Sequence, residues 1–262
     1  MYIAKKKFGQ NFLIDTNIIN NIIDSVSIDS NDKIIEIGPG KGYLTGELKS
    51  FNVDLYCFEI DKDMMNYLEK YEDNKTYIIY EDFLNVDLNK YFNNKDNIHV
   101  IANIPYYITT PIIEHLIESN LNIKDMTLMV QEEVANRLSS QPGSSNYGYI
   151  TAYLNYYYDI NKIINVPRKC FDPVPNVDSA VIKLTKNKKI CNNEEVLFKL
   201  LKDSFKLKRK NLRNNLKEYN LNIILEVLYK HNMDLTNRAE DLSIEVFIEI
   251  ANNLWLNNKI TF

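Results

Sequence analysis

Apolar residues recur at two spacings along this chain, and the pattern changes near residue 186. Up to that point, short apolar runs alternate with stretches of helical periodicity. Residues 33–37, 53–58, 76–80, 98–102 and 125–131 read as buried strands. Helical spacing appears over 41–49, 64–71 and 111–118, and after 131 through Leu138. It also appears over 12–26, where Ile14, Ile18, Ile19, Ile22, Ile23 and Val26 form one face and Asp15 or Thr16 suits the N-cap. Such alternation predicts a parallel, doubly wound α/β sheet. Residues 141–148 form a loop by composition. A helical stretch at 149–157, a strand at 160–166, a proline-held loop at 167–175 and a last strand at 178–185 follow. After Lys186 only helical periodicity remains, over 196–205, 210–217, 221–231 and 243–254. The polar stretch around 185–192 therefore divides an α/β domain, 1–187, from a small all-helical C-terminal domain, 188–262.

Open α/β sheets bind ligands beyond the carboxyl ends of their strands. Four candidates fall at such ends. The first is Gly38-Pro39-Gly40-Lys41-Gly42, where alternate glycines let backbone approach a ligand and leave N–H groups free at the start of a helix. Glu59, about twenty residues on, is placed to accept from ribose hydroxyls. Asp82 follows the third strand and suits the exocyclic amine of a bound adenine. Asn103-Ile104-Pro105-Tyr106 ends the fourth. Proline stops the strand there and restricts Ile104. An amide oxygen beside a backbone carbonyl offers two acceptors to an amino group with two N–H donors, and the Tyr106 ring offers a stacking surface for a flat base. Asn-x-Pro-Tyr alone also describes an ordinary strand-to-loop corner. The glycine run, preceded by Glu36, lacks the G-x-x-G ending of dinucleotide folds. Together the four suit S-adenosyl-L-methionine better than a nicotinamide cofactor. Phe171, between prolines, either stacks on a base opposite Tyr106 or anchors its loop in the core.

Net charge is −4, which by itself argues against a nucleic-acid partner. Its distribution argues for one. Residues 183–217 carry twelve basic residues against Glu194, Glu195 and Asp203, a net +9 that leaves −13 for the rest. A solvated charged helix face is the plainer explanation of the same run. Three cysteines and three histidines are scattered without disulfide or metal-ligand spacing, so a reducing compartment and no metal are expected. Lys5-Lys6-Lys7 is followed by Phe8-Gly9-Gln10-Asn11 instead of a signal-like apolar run, and no apolar stretch is long enough for a membrane span.

With these residues in view, the sequence resembles the rRNA adenine N6-dimethyltransferase family over nearly its whole length, most of all the KsgA-type, small-subunit (16S) branch. The resemblance rests on Phe8-Gly9-Gln10-Asn11-Phe12-Leu13, the glycine run, Asn103-Ile104-Pro105-Tyr106-Tyr107-Ile108-Thr109, the loop at 142–148 and residues 167–180. Near the end it includes 208–216 and 238–243. It implies a Rossmann-like S-adenosylmethionine-dependent fold whose cofactor site is lined by Gln10, Asn11, Leu13, Gly38, Gly40, Glu59, Ile60, Asp82, Phe83 and Asn103. Asn103, Ile104, Tyr106 and Phe171 would face the target adenine. Lys206, Lys208, Arg209, Lys210 and Arg213 would hold RNA. The implied protein is a cytoplasmic monomer acting on small-subunit rRNA in a pre-ribosomal particle, without metal or membrane. It places two methyl groups on N6 of each of two adjacent adenosines near the 3′ end. Two alternatives stand beside it: methylation of large-subunit (23S) rRNA, whose enzymes share the opening and Asn-x-Pro-Tyr motifs, and an assembly factor whose methylation is secondary.

Overall fold

The computed structural model describes residues 10–104 and 108–259. Its centre is a seven-stranded sheet built from β2 (Lys33–Ile37), β3 (Asp54–Phe58), β4 (Thr76–Ile79), β5 (Ile98–Asn103), β6 (Ile123–Gln131), β7 (Tyr158–Val166) and β9 (Ser179–Lys186). The spatial order is β4-β3-β2-β5-β6-β9-β7. The first five pair in parallel, and β9 runs antiparallel to β6. Every β2 residue after Lys33 is buried, as is β5 from Ile98 to Ala102, so both sheet faces are covered there. On one face, Ile19 and Ile22 of α1 (Thr16–Asp24) and Leu44 and Leu48 of α2 (Tyr43–Leu48) join a core with Ile34, Leu55, Ile101 and Met129.

The opening helix starts just after the expected cap, Asp15, four residues after the helical spacing begins. Phe12–Leu13 form strand β1, antiparallel to β8 (Phe171–Asp172), and the Ile14 N–H donates to the Cys170 carbonyl at 2.9 Å. The helix begins at Thr16 because the Asp15 carboxylate accepts from the N–H groups of Asn17 and Ile18. A partner strand some 160 residues away outweighs local helical spacing, and no local pattern announces it.

The chain divides into two compact units, 1–135 with 161–186, and 136–160 with 187–262. The second unit thus takes a segment that a single cut after 187 assigns to the first. Ala152 and Tyr156 of α6 (Tyr149–Tyr157) explain this. Both are buried in one core with Leu197, Leu200 and Leu201 of α7 (Glu194–Ser204), Leu212 of α8 (Leu212–Asn215), Ile224 and Val227 of α9 (Leu221–Lys230) and Phe247 of α10 (Ile244–Lys259). The loop at 141–148 belongs to this unit. Tyr147 is buried in its core, and the Gly143 N–H donates to the Glu240 carbonyl at 2.7 Å.

Near the start of β5, His99 is buried between two acids. Its Nδ1 lies 3.0 Å from Asp125 and its Nε2 2.9 Å from Asp32, which also receives Lys124 at 3.2 Å. Burial alone would lower the His99 pKa, but the two carboxylates raise it above the usual value. Burial would raise Asp32, yet His99, the Asp29 N–H and Lys124 hold it down to about 2. The histidine's contribution is therefore complete below its unfolded pKa and fades as pH rises through the raised one. The Asp32 contribution is present above the ordinary carboxylate range and fades as pH falls toward about 2. His99→Leu leaves two buried acids facing each other and should cost about 3 kcal/mol at neutral pH. Urea denaturation measures this, and a loss under about 1 kcal/mol would contradict the charged arrangement.

Candidate active site

Beyond the carboxyl ends of β2–β5 lies a cleft of about 850 Å³, its open mouth included. Nine of the ten expected cofactor residues line it. Gly38 and Gly40 form one wall, Glu59 and Ile60 the next, Asp82 and Phe83 a third, and Gln10, Asn11 and Asn103 the remainder, joined by Ile104. Leu13, the tenth, lines a smaller hollow that shares Gly38 and Asn103 with the cleft.

The strands explain this convergence. β2 and β5 pair in register, with Ile37 opposite Ala102. The next residues, Gly38 and Asn103, are then neighbours, and a Cβ on Gly38 would sit 3.4 Å from the Asn103 carbonyl oxygen. Gly38 and Gly40 have φ of +71° and +57°, a conformation open to glycine at little cost. At Gly40 a Cβ would also lie 2.8 Å from the Phe12 ring, which β1 carries into this corner.

Glu59 is 4% exposed. Its carboxylate accepts from the Gly40 N–H at 2.9 Å and the Asp61 N–H at 2.8 Å. Burial raises its pKa, while the N–H groups of Asp61 and Gly40 pull the other way. The buried Asp61 accepts from the Gln10 amide at 3.0 Å. A continuous polar chain thus runs from the opening motif through Asp61 and Glu59 to the glycine loop. Sequence reasoning did not single out Asp61. Its only local signal is an acid capping the turn after Glu59, where it accepts from the Asp63 N–H.

Asp82 accepts from the Leu84 N–H at 3.1 Å and the Asn85 amide at 2.9 Å, which hold it at the end of β4. Phe83 is buried against Phe58 and His115. The Asn103 amide nitrogen donates to the Asn11 carbonyl at 3.2 Å. This fixes the side chain with its nitrogen toward Asn11, so its oxygen is the atom that can accept from a substrate. Tyr106 lies outside the described residues, as do Pro105, Tyr107 and the opening Lys5 to Gly9.

Phe171 corrects one expectation. It is 1% exposed, packs in the core with Leu13, Val166 and Cys170, and is not on the cleft wall. Of its two readings the structure has the core anchor. The β1–β8 pairing sets Phe171 opposite Leu13 and turns the ring inward.

The donor set fits S-adenosylmethionine. Buried carboxylate oxygens on Glu59 suit ribose hydroxyls, Asp82 suits an adenine amine, and Ile60, 46% exposed, with Phe83 supplies apolar surface for a flat ring. Among the described residues no group of three or more His, Cys, Asp or Glu side chains is placed to hold a metal ion, and no helix is long and apolar enough to cross a membrane.

Fold and cleft together define an α/β Rossmann-like methyltransferase with a helical second unit. The ribosomal RNA adenine dimethylase family matches residues 1–255. Ribosomal RNA small subunit methyltransferase A of Lachnoclostridium phytofermentans is 43% identical, covering 95% of this chain and 91% of that protein. The protein so described from Fusobacterium nucleatum is 42% identical over 94% and 96%. A dimethyladenosine transferase from Plasmodium falciparum superposes with a TM-score of 0.78 at 27% identity, over 95% of this chain and 98% of its own. The 23S rRNA methyltransferase ErmE, at 22% identity and a TM-score of 0.75, shares the fold. This chain belongs to the ribosomal RNA adenine dimethylase family.

A second buried acid lies behind the glycine loop. Burial, followed by the nearby Glu59 charge, pushes the Glu36 carboxyl up to about 7. The Cys57 thiol lies 3.3 Å from it. An acid raised on folding stabilises the native state while protonated, so its contribution is complete below its unfolded pKa and is lost as pH rises toward 7. From 4.5 to about 7 corresponds to about 3 kcal/mol. Glu36→Gln should flatten the fall in stability between pH 5 and pH 8 and exceed the wild type at pH 8. Chemical denaturation at several pH values measures this, and parallel curves would contradict it.

Proposed function

We propose that the chain transfers methyl groups from S-adenosylmethionine to N6 of two adjacent adenosines near the 3′ end of small-subunit rRNA, two to each, in a pre-ribosomal particle. The observation that carries this reading is the Asn103 amide at the mouth of the cleft, anchored through its nitrogen to Asn11. The full-length relatives described as small-subunit rRNA methyltransferase A favour the small subunit over the large.

S-adenosylmethionine, when bound, supplies a methyl group made electrophilic by a sulfonium. Glu59 would bind its ribose, and Asp82 with Phe83 would hold its adenine. The target amine is a poor nucleophile because its lone pair is delocalised into the purine. Asn103 Oδ1 and the Ile104 carbonyl accept its two N–H bonds, which lets the nitrogen pyramidalise and directs the lone pair along the line of attack. Tyr106 stacks on the base, which must leave its helix to enter. Catalysis is then positioning and electrostatic stabilisation, without a strong general base. The proton leaves after transfer.

Lys206, Lys208, Arg209, Lys210 and Arg213 are all exposed, which supports a backbone-binding role in the helical unit. The protein works as a cytoplasmic monomer in this account.

Asn103→Ala should keep affinity for S-adenosylhomocysteine and lose about 10² or more in turnover, the scale of losing one oxyanion-hole donor. Label transfer to unmethylated small subunits, with the modified nucleotides mapped, reads this. Turnover like the wild type, or label on another nucleotide, would refute the clamp. The reversal Arg209→Glu with Lys210→Glu should weaken subunit binding and lower the salt slope by about 0.7–0.9 per lost phosphate contact. Unchanged affinity would remove the basic segment from the interface.

A further inference from the structure

The basic loop between α7 and α8 is bent against its own chemistry. Four of the five residues 206–210 are cationic, and all five are exposed. Like charges so close in sequence favour an extended chain. Instead the loop turns back, with the Lys210 N–H donating to the Leu207 carbonyl at 3.2 Å. Arg209 sits at φ +64°, in the left-handed region that a residue with a Cβ seldom occupies. Such an outlier persists only where its surroundings impose it.

One side chain supplies much of that constraint. The Asn215 amide nitrogen donates to the Ser204 carbonyl at 2.7 Å, with longer approaches of 3.4 Å to Leu207 and 3.5 Å to Lys210. Its oxygen accepts from the Leu207 N–H at 3.1 Å. Asn215 itself stands on a fixed base. Leu212 and Leu216 on either side are fully buried, and the N–H groups of Leu212 and Arg213 donate to the Asn237 and Leu235 carbonyls.

We infer that Asn215 is a positioning residue for rRNA. It holds loop 204–210 in the curled form that presents Lys206, Lys208, Arg209 and Lys210 together to phosphate oxygens. The role rests on the proposed rRNA contact of the basic segment and deepens it. Asn215 carries no charge and need not touch RNA. Its effect is to order the loop before binding, so the cost of closing it against charge repulsion is not taken from the binding step.

The test compares Asn215→Leu, close in shape but without an amide, with the Arg209→Glu, Lys210→Glu reversal in the full chain. Affinity for unmethylated small subunits is measured across a salt series, with S-adenosylhomocysteine affinity and backbone amide exchange alongside. Asn215→Leu should bind on the order of tenfold more weakly at every salt concentration. Its salt slope should be unchanged because every cation remains, while the reversal lowers the slope. Exchange should accelerate over 204–210 alone, and S-adenosylhomocysteine affinity should hold. Subunit affinity like the wild type in Asn215→Leu, with the reversal weakened, would overturn the positioning role alone. So would accelerated exchange throughout the helical unit, or a Leu207 amide exchanging without protection in the wild-type chain. A reversal variant that binds normally would overturn both this role and the rRNA contact beneath it.

Discussion

The parallel, in-register pairing of β2 with β5 is the constraint on which the site depends. Because Ile37 lies opposite Ala102, the chain leaves both strands at one level and sets Gly38 beside the backbone of Asn103. The glycine loop and the Asn103 amide, the groups proposed to meet cofactor and substrate amine, are thus fixed by the same hydrogen-bonded ladder. A slip of one residue would turn every side chain of β5 to the opposite face and part His99 from Asp32 and Asp125. The remaining contacts refine that placement. Glu59 ties Gly40 to Asp61, and Asp61 ties both to Gln10. Asn11 in turn holds Asn103. Gln10 and Asn11 close one side of the cleft through these two side-chain bonds.

The cleft also concentrates buried acid. Glu36 and Glu59 are both nearly inaccessible and both raised by burial, but their partners differ. Glu59 has two backbone N–H groups and lines the cleft, which suits it to accept from a ligand. Glu36 meets the Cys57 thiol, and burial keeps its carboxyl raised. Two carboxylates on adjacent strands serve different ends because their hydrogen-bond partners differ.

Much of this cleft was legible in the chain because four of its lining residues follow strand ends, and strand ends follow from local apolar runs. Gly38, Glu59, Asp82 and Asn103 needed only that pattern and the rule that α/β sheets bind beyond their carboxyl edge. What escaped depends on contacts distant in sequence. The β1–β8 pairing joins Leu13 to Phe171 and decides that the ring anchors the core; composition left both outcomes open for it. Residues 136–160 look continuous with the α/β alternation, yet the apolar face of α6 is completed by α7 and its neighbours. Asn215 reads as one more polar residue in an Asn-rich chain until its partners are seen.

The central claim is that one cleft brings a methyl donor to the Asn103 amide. A crystal structure with S-adenosylhomocysteine tests it most directly. The ribose hydroxyls should lie on Glu59, the adenine beside Asp82 and Phe83, and the sulfur facing the Asn103 side chain. Ligand density elsewhere, or a sulfur directed away from residue 103, would contradict it.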